Sequence, residues 1–265
     1  SEYQIGDLAT IFMTESRIGA RTKQLDLAAA LKGQKDIQQA LESFRDNAWQ
    51  DPALEMIGGE QEAWLTSGMR KSKASGTKWQ VWSQQCVMGE LKLPQEAINW
   101  VSDDAPAYAR ERLAVGAMAA KLGLPINLDS WDGYPKARER ALASAQQVDA
   151  DLVVLSGDSH NAWAFDLATS DGAAGVEFAG HSVTSPGIES YLSGASPAVA
   201  AKSLIETNSA LQWTDTAQRG YMAVTLTPEK ATSTWHFLDT IRAKSIALSG
   251  SKSQTVLRGA NRLQA

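Results

Sequence analysis

The alternation of apolar and polar positions divides the chain into strand-like and helix-like stretches. Residues 8–14 form a short apolar run that ends in Glu15-Ser16-Arg17. Residues 152–155 are an unbroken Leu/Val run that ends in Ser156-Gly157-Asp158-Ser159-His160. Runs without a polar face read as strands buried on both sides. Residues 78–86 and 175–179 read as further strands, and 221–226 with 232–239 as a hairpin turning at Thr227-Pro228-Glu229-Lys230. Helical periods lie between them. They cover 25–47 (broken at Gly33), 60–73, and an Ala-rich 94–122 interrupted at Asp103-Asp104-Ala105-Pro106. Another helix opens at Pro135 with Ala137, Ala141, Ala145 and Val148 on one stripe, and one capped by Ser196 runs to about 207. Residues 208–220 read as irregular, and the polar chain beyond Ser249 as a loosely held tail. Helices alternating with strands predict a layered α/β protein. Neither repeats nor a low-complexity linker divide it, so residues 1–265 read as one domain.

Composition narrows the function classes. A net charge of -5 without a Lys/Arg stripe argues against nucleic acid as the main partner. No apolar run approaches the ~20 residues of a bilayer span, so no transmembrane segment is expected. The single cysteine, Cys86, excludes an internal disulfide framework and a cysteine-rich zinc site. Ser1-Glu2-Tyr3-Gln4 opens neither a basic nor an apolar region, so no signal peptide is expected in this chain. The nine tryptophans fall mostly where periodicity predicts burial and read as core.

The chemistry concentrates at strand ends. Gly157 allows a sharp turn after the 152–155 strand, and Asp158 and His160 follow at a spacing that can aim both at one point. A carboxylate with an imidazole suits Zn, Fe or Mn, against the plainer reading of a capped turn with a surface histidine. Of the three histidines, His236 lies mid-strand and reads as structural, whereas His181 lies past a strand end and reads as either a ligand contact or a loop histidine. No G-x-S-x-G elbow occurs, and Gly180-His181-Ser182-Val183-Thr184 lacks the second glycine. Walker and G-x-G-x-x-G loops are also missing. Metal-assisted hydrolysis is the chemistry left.

Three stretches together resemble the PhoD-like phosphatases, the alkaline phosphatase D branch of the calcineurin-like metallophosphoesterases. They are Val153 through Trp163, Asp129-Ser130-Trp131-Asp132-Gly133-Tyr134-Pro135, and Phe178 through Gly187, supported by Phe12 to Arg17, Trp79 to Gln85 and Arg219-Gly220-Tyr221. The resemblance runs in order from about 5 to 245. It implies a layered α/β/β/α sandwich that hydrolyses phosphomonoesters or phosphodiesters at a multinuclear metal centre, with iron and calcium expected and zinc or manganese as alternatives. By motif position Asp158 and His160 are implied metal ligands, with Asn208 a weaker third. Asn161 and His181 are implied beside the centre, Arg17 on the phosphate oxygens, and Trp131 and Tyr134 with them on one substrate-binding mouth. Arg17 and His181 take the catalytic roles.

Two departures qualify that picture. Gly6-Asp7-Leu8-Ala9 lacks the tyrosine of the family's G-D-x-x-Y segment, and Asp103-Asp104-Ala105 lacks the histidine of its D-D-H segment. The chain therefore resembles the later part of the family domain, with about half the ligands expected from a missing N-terminal segment. Where some members carry Asn, Pro and His, this chain has Asn208-Ser209-Ala210. The expected partner is a small-molecule phosphate ester, and the family analogy implies a periplasmic or secreted protein. The alternative is a binding or structural chain that keeps the fold without a working centre.

Overall fold

A computed structural model describes residues 1–102, 107–125 and 127–264. The chain opens with β1 (Glu2–Ile5) and β2 (Ala9–Met13), followed by the short helices α1 (Leu27–Leu31) and α2 (Ile37–Ser43). Asp26 and Asp36 cap these helices by accepting the N–H of Ala29 and Gln39. Then come α3 (Gly58–Ala74), β3 (Trp79–Ser83), α4 (Ala107–Lys121), α5 (Pro135–Gln147), β4 (Leu152–Ser156), β5 (Ala162–Thr169) and β6 (Gly172–Ala179). The chain closes with α6 (Pro197–Thr207), β7 (Leu211–Asp215), β8 (Gly220–Leu226), β9 (Lys230–Leu238) and β10 (Leu248–Leu257). The helix interruption expected at 103–106 lies outside the described residues.

Among the described residues the strands form a large sheet in the order β1-β2-β3-β4-β6-β5-β7 and a small one in the order β10-β9-β8. Neighbours β2, β3, β4 and β6 are parallel, so their carboxyl ends share one edge. Strand β5 runs antiparallel to β6 and starts at that edge, with Trp163 opposite Ala179.

Two cores hold the layers. Helices α3 and α5 pack on one face of the large sheet around Phe12, Trp82, Trp131, Val154 and Phe165. Here Gly68 of α3 matters, because a Cβ at that position would lie 2.5 Å from the Phe12 ring. The opposite face meets the small sheet through Val81, Val153, Phe178, Trp235 and Phe237. The α/β sandwich expected from the sequence is therefore present as helices, large sheet and small sheet. Among the described residues no helix joins this second core, and Tyr221, Ala223 and Thr225 leave the outer face of the small sheet exposed. Seven of the nine tryptophans are buried, and Trp64 and Trp213 are partly buried against the two cores.

Four strands escape the hydrophobic pattern. Strand β1 is exposed throughout and is defined only by pairing with β2. Strand β5 begins directly after the Asp158 loop, and β7 is a five-residue strand inside the stretch read as irregular. The tail is also not loose. Residues 248–257 pair with β9 because a hairpin edge offers open N–H and C=O groups whatever the side chains are. Leu263 N–H then donates to Asp166 at 2.8 Å, and the Gly259 N–H donates to Asp151.

Candidate active site

The shared edge gathers the tips of four strands: Thr14 to Arg17 after β2, Gln84 and Gln85 after β3, Gly157 to His160 after β4, and Gly180 and His181 after β6. A cleft of about 370 Å³ opens between the β3 and β4 tips, with Gln84, Gln85, Gly157 and Asp158 among its walls. Ligand sites in open α/β sheets lie at such edges.

Asp158 and His160 both adopt left-handed backbone, φ 63°. Such conformations at non-glycine residues cost on the order of 1–3 kcal/mol each and cluster at functional loops. The turn is held by Ser159, whose N–H reaches Gly157 O at 2.6 Å and whose hydroxyl accepts Trp163 Nε1–H at 2.7 Å. His160 Nδ1 lies 2.8 Å from Pro186 O. A carbonyl can only accept, so Nδ1 carries a proton, and Nε2 is the ring nitrogen left for other contacts.

Arg17 reaches across from β2. Its guanidinium donates to Asp129 Oδ2 at 2.7 Å and to Asp158 Oδ2. Arg21, with a side chain 9% exposed, donates to Asp129 Oδ1 at 2.5 Å and to the Tyr134 hydroxyl at 2.8 Å. Burial alone would raise the Asp129 pKa, but Arg21 and Arg17 outweigh it and hold the carboxyl below its usual range. The hydrogen bond to Asp158 raises the Arg17 pKa, with Asp129 adding to it against burial. Glu15 accepts the N–H groups of Arg17, Ile18 and Gly19 and so shapes the loop that carries Arg17.

Asp158, His160 and Arg17 thus come together at one edge; His181 follows the same edge but turns between the sheets, and the remaining sequence candidates are taken up by other contacts. Trp131 is fully buried, edge-on to Trp82 at 5.4 Å, with its indole N–H on Gln84. Tyr134 is also fully buried and donates to Thr22 O at 3.0 Å. Their turn points inward because buried Asp132 ties it to Arg138 and the Leu91 N–H, so both residues brace the site and present no face to a substrate. Asn208 is the C-cap of α6 and bonds Lys92 N, Lys92 O and Leu204 O. Leu211 pairs with Phe165, so Asn208 lies toward the far end of β7, away from the shared edge, and is no ligand there. Asn161 is buried, with its amide on Ile188 N and Glu189. His181 is 9% exposed, sits edge-on to Phe237 at 5.4 Å, and has no aligned hydrogen bond at either nitrogen. Burial pushes its imidazole below the ordinary value. It lies under the rim, between the sheets.

The sequence reading missed Arg21, Asp129 and Glu177. Glu177 lies on β6 fully buried, accepting Ser156 Oγ–H at 2.6 Å and the N–H groups of Met88 and Gly89 at 2.8 and 2.7 Å. Burial pushes its carboxyl from 4.5 up to about 7, against those three donors. The folded state therefore holds this proton more tightly than the unfolded chain. The contribution is complete below about pH 4.5 and is lost as pH rises to about 7, over a range of ~3 kcal/mol. Urea unfolding between these pH values should show stability falling with pH more steeply in the parent than in Glu177→Gln. Equal slopes would show that Glu177 titrates normally.

For the metal centre that the resemblance implies, the donor set is short. Among the described residues no three His, Cys, Asp or Glu side chains come together to hold a cation. Asp158 and His160 give two donors, and one of them faces Arg17. This chain alone does not fit a closed multinuclear centre.

Comparison with known proteins places the fold and the family. The chain is 28% identical over 220 residues to alkaline phosphatase D of Bacillus subtilis (strain 168), a match that covers 78% of this chain and 32% of that protein. A solved structure of PhoD superposes on all of this chain and on 43% of its own length, with a TM-score of 0.65 at 21% identity. The chain thus spans about a third of the curated relative. The model of the PhoD-like phosphatase family matches residues 1–235, and the chain belongs to that family.

Proposed function

We propose that this chain forms one wall of a metal-dependent phosphoester hydrolase site. The observation that carries the reading is the meeting of Arg17 with the Asp158–His160 turn on the shared strand edge. Arg17 is the phosphate contact, since a guanidinium can grip two phosphoryl oxygens at once. Asp158 and His160 are two of the donors for a metal, iron with calcium first and zinc or manganese as alternatives. The remaining donors come from sequence outside these 265 residues. Bound cations would polarise the phosphoryl oxygens and supply the nucleophile. The substrate is a small phosphate ester, and a periplasmic or secreted setting belongs to the same proposal by family analogy.

A second reading is a chain that keeps the fold without a working centre. It is favoured by one observation, the Arg17 ion pair that occupies Asp158 where a cation would bind. Hydrolysis of para-nitrophenyl phosphate and of its bis-ester separates the two. A longer protein carrying the remaining donors should release para-nitrophenolate when iron, calcium, manganese or zinc is supplied in turn. Silence with every metal would favour the second reading.

A further inference from the structure

The loop from Gly180 to the short helical turn Ile188–Tyr191 carries the Pro186 carbonyl that accepts from His160. Its start is tied through the backbone, with Ser182 N–H donating to His160 O at 3.3 Å and Ser182 O accepting the Gly220 N–H at 3.0 Å, and side chains hold the rest. Ser182 Oγ accepts Thr184 and Ser185 N–H at 3.2 and 2.8 Å, which folds the loop back on itself. Asn161 Oδ1 accepts Ile188 N–H at 2.9 Å, and a Cβ on Gly187 would lie 2.5 Å from that amide, so the loop closes directly on Asn161. Glu189 Oε1 accepts Gly187 N–H at 2.9 Å and an Arg219 N–H.

Arg219 joins the two halves of this arrangement. Its side chain is 8% exposed, and it enters from the chain just before β8, 59 residues beyond His160. One arm pairs with Glu189, which fixes the peptide next to Pro186. The other points at the backbone carbonyl of His160, at 3.4 Å. The guanidinium, together with the Ser182 N–H on the same carbonyl, thereby holds both the residue that owns the imidazole and the loop that supplies its acceptor. A buried ion pair is a poor source of stability, because desolvation offsets the attraction, but it can enforce one arrangement.

We propose that the Arg219–Glu189 pair, with Asn161, is a positioning device that fixes the His160 imidazole as the Nδ1–H tautomer on the Pro186 carbonyl. The role of that imidazole in hydrolysis rests on the function proposed above, whereas the positioning does not.

The experiment therefore has two arms. Two-bond proton–nitrogen spectra of the histidine rings in the 265-residue chain report the tautomer without substrate or metal. The parent should show His160 as the Nδ1–H form. Arg219→Lys keeps the charge but cannot span both partners, and should give mixed tautomers. Glu189→Gln keeps the shape and reads the same point if Arg219→Lys does not fold. A single Nδ1–H tautomer in a folded variant would overturn the device. In the second arm, the same substitutions in an active longer protein should lower kcat roughly 10–100-fold with KM little changed. Mixed tautomers with unchanged kcat would keep the device and overturn the role of His160 in hydrolysis.

Discussion

Asp158→Asn, made in a longer protein supplied with metal, is expected to lower aryl phosphate turnover roughly 10²–10³-fold. Charge stabilisation by a bound cation is worth several kcal/mol, and each ~1.4 kcal/mol is tenfold in rate. The substitution keeps shape and volume, so the left-handed turn at φ 63° and the Ser159–Trp163 hydrogen bond should survive. The same change has an opposite effect on the chain without metal. Asp158 holds one arm of Arg17. Removing its charge frees that arm, so inorganic phosphate should bind the Asp158→Asn chain more tightly than the parent. Amide shifts at Ser16 and Arg17 during a phosphate titration would show this. Turnover within a few-fold of the parent would remove Asp158 from the donor set.

Arg17→Ala should raise KM and lower kcat together, with kcat/KM falling by about 10²-fold, because the guanidinium is the only site residue on the β2 tip assigned to the phosphoryl group. Arg17→Lys should recover little of it, since an ammonium cannot grip two oxygens in a planar fork. Stability should hardly change. The Arg17 side chain is 29% exposed and its two partners 33%, and ion pairs that open to water contribute ~1 kcal/mol or less. Arg21 would still neutralise Asp129 at 2.5 Å. Thermal melts of both variants within a few degrees of the parent, together with the kinetic loss, would place Arg17 in binding rather than folding. An Arg17→Lys variant with parental kcat/KM would contradict the two-oxygen grip.

What the sequence could and could not show follows from where the information resides. β2, β4 and α5 were legible because burial on one or both faces imposes a hydrophobic period. β1 and β10 were not, since their pairing comes from backbone groups at sheet edges and their side chains face water. Asp158, His160 and Arg17 stand out because each follows a strand end. The Asp129–Pro135 stretch is rich in turn formers, which says that the chain turns there but not which way. Asp132 decides that Trp131 and Tyr134 face inward, and its bond to Leu91 spans 41 residues. Arg21 meets Asp129 across 108 residues and Arg219 meets Glu189 across 30, and no local spacing encodes such pairs. Asn208 was assigned by motif position alone, whereas its three hydrogen bonds make it a helix cap.

The central claim is that this chain brings the phosphate grip and two donors, and that the centre is completed by residues outside it. The most direct measurement compares para-nitrophenyl phosphate turnover by the 265-residue chain with that of the longer protein, each given iron, calcium, manganese and zinc in turn. The expected result is weak hydrolysis by the chain alone and turnover higher by orders of magnitude in the longer protein. Equal turnover from the 265 residues alone would contradict the claim, because it would mean that their own side chains complete the centre.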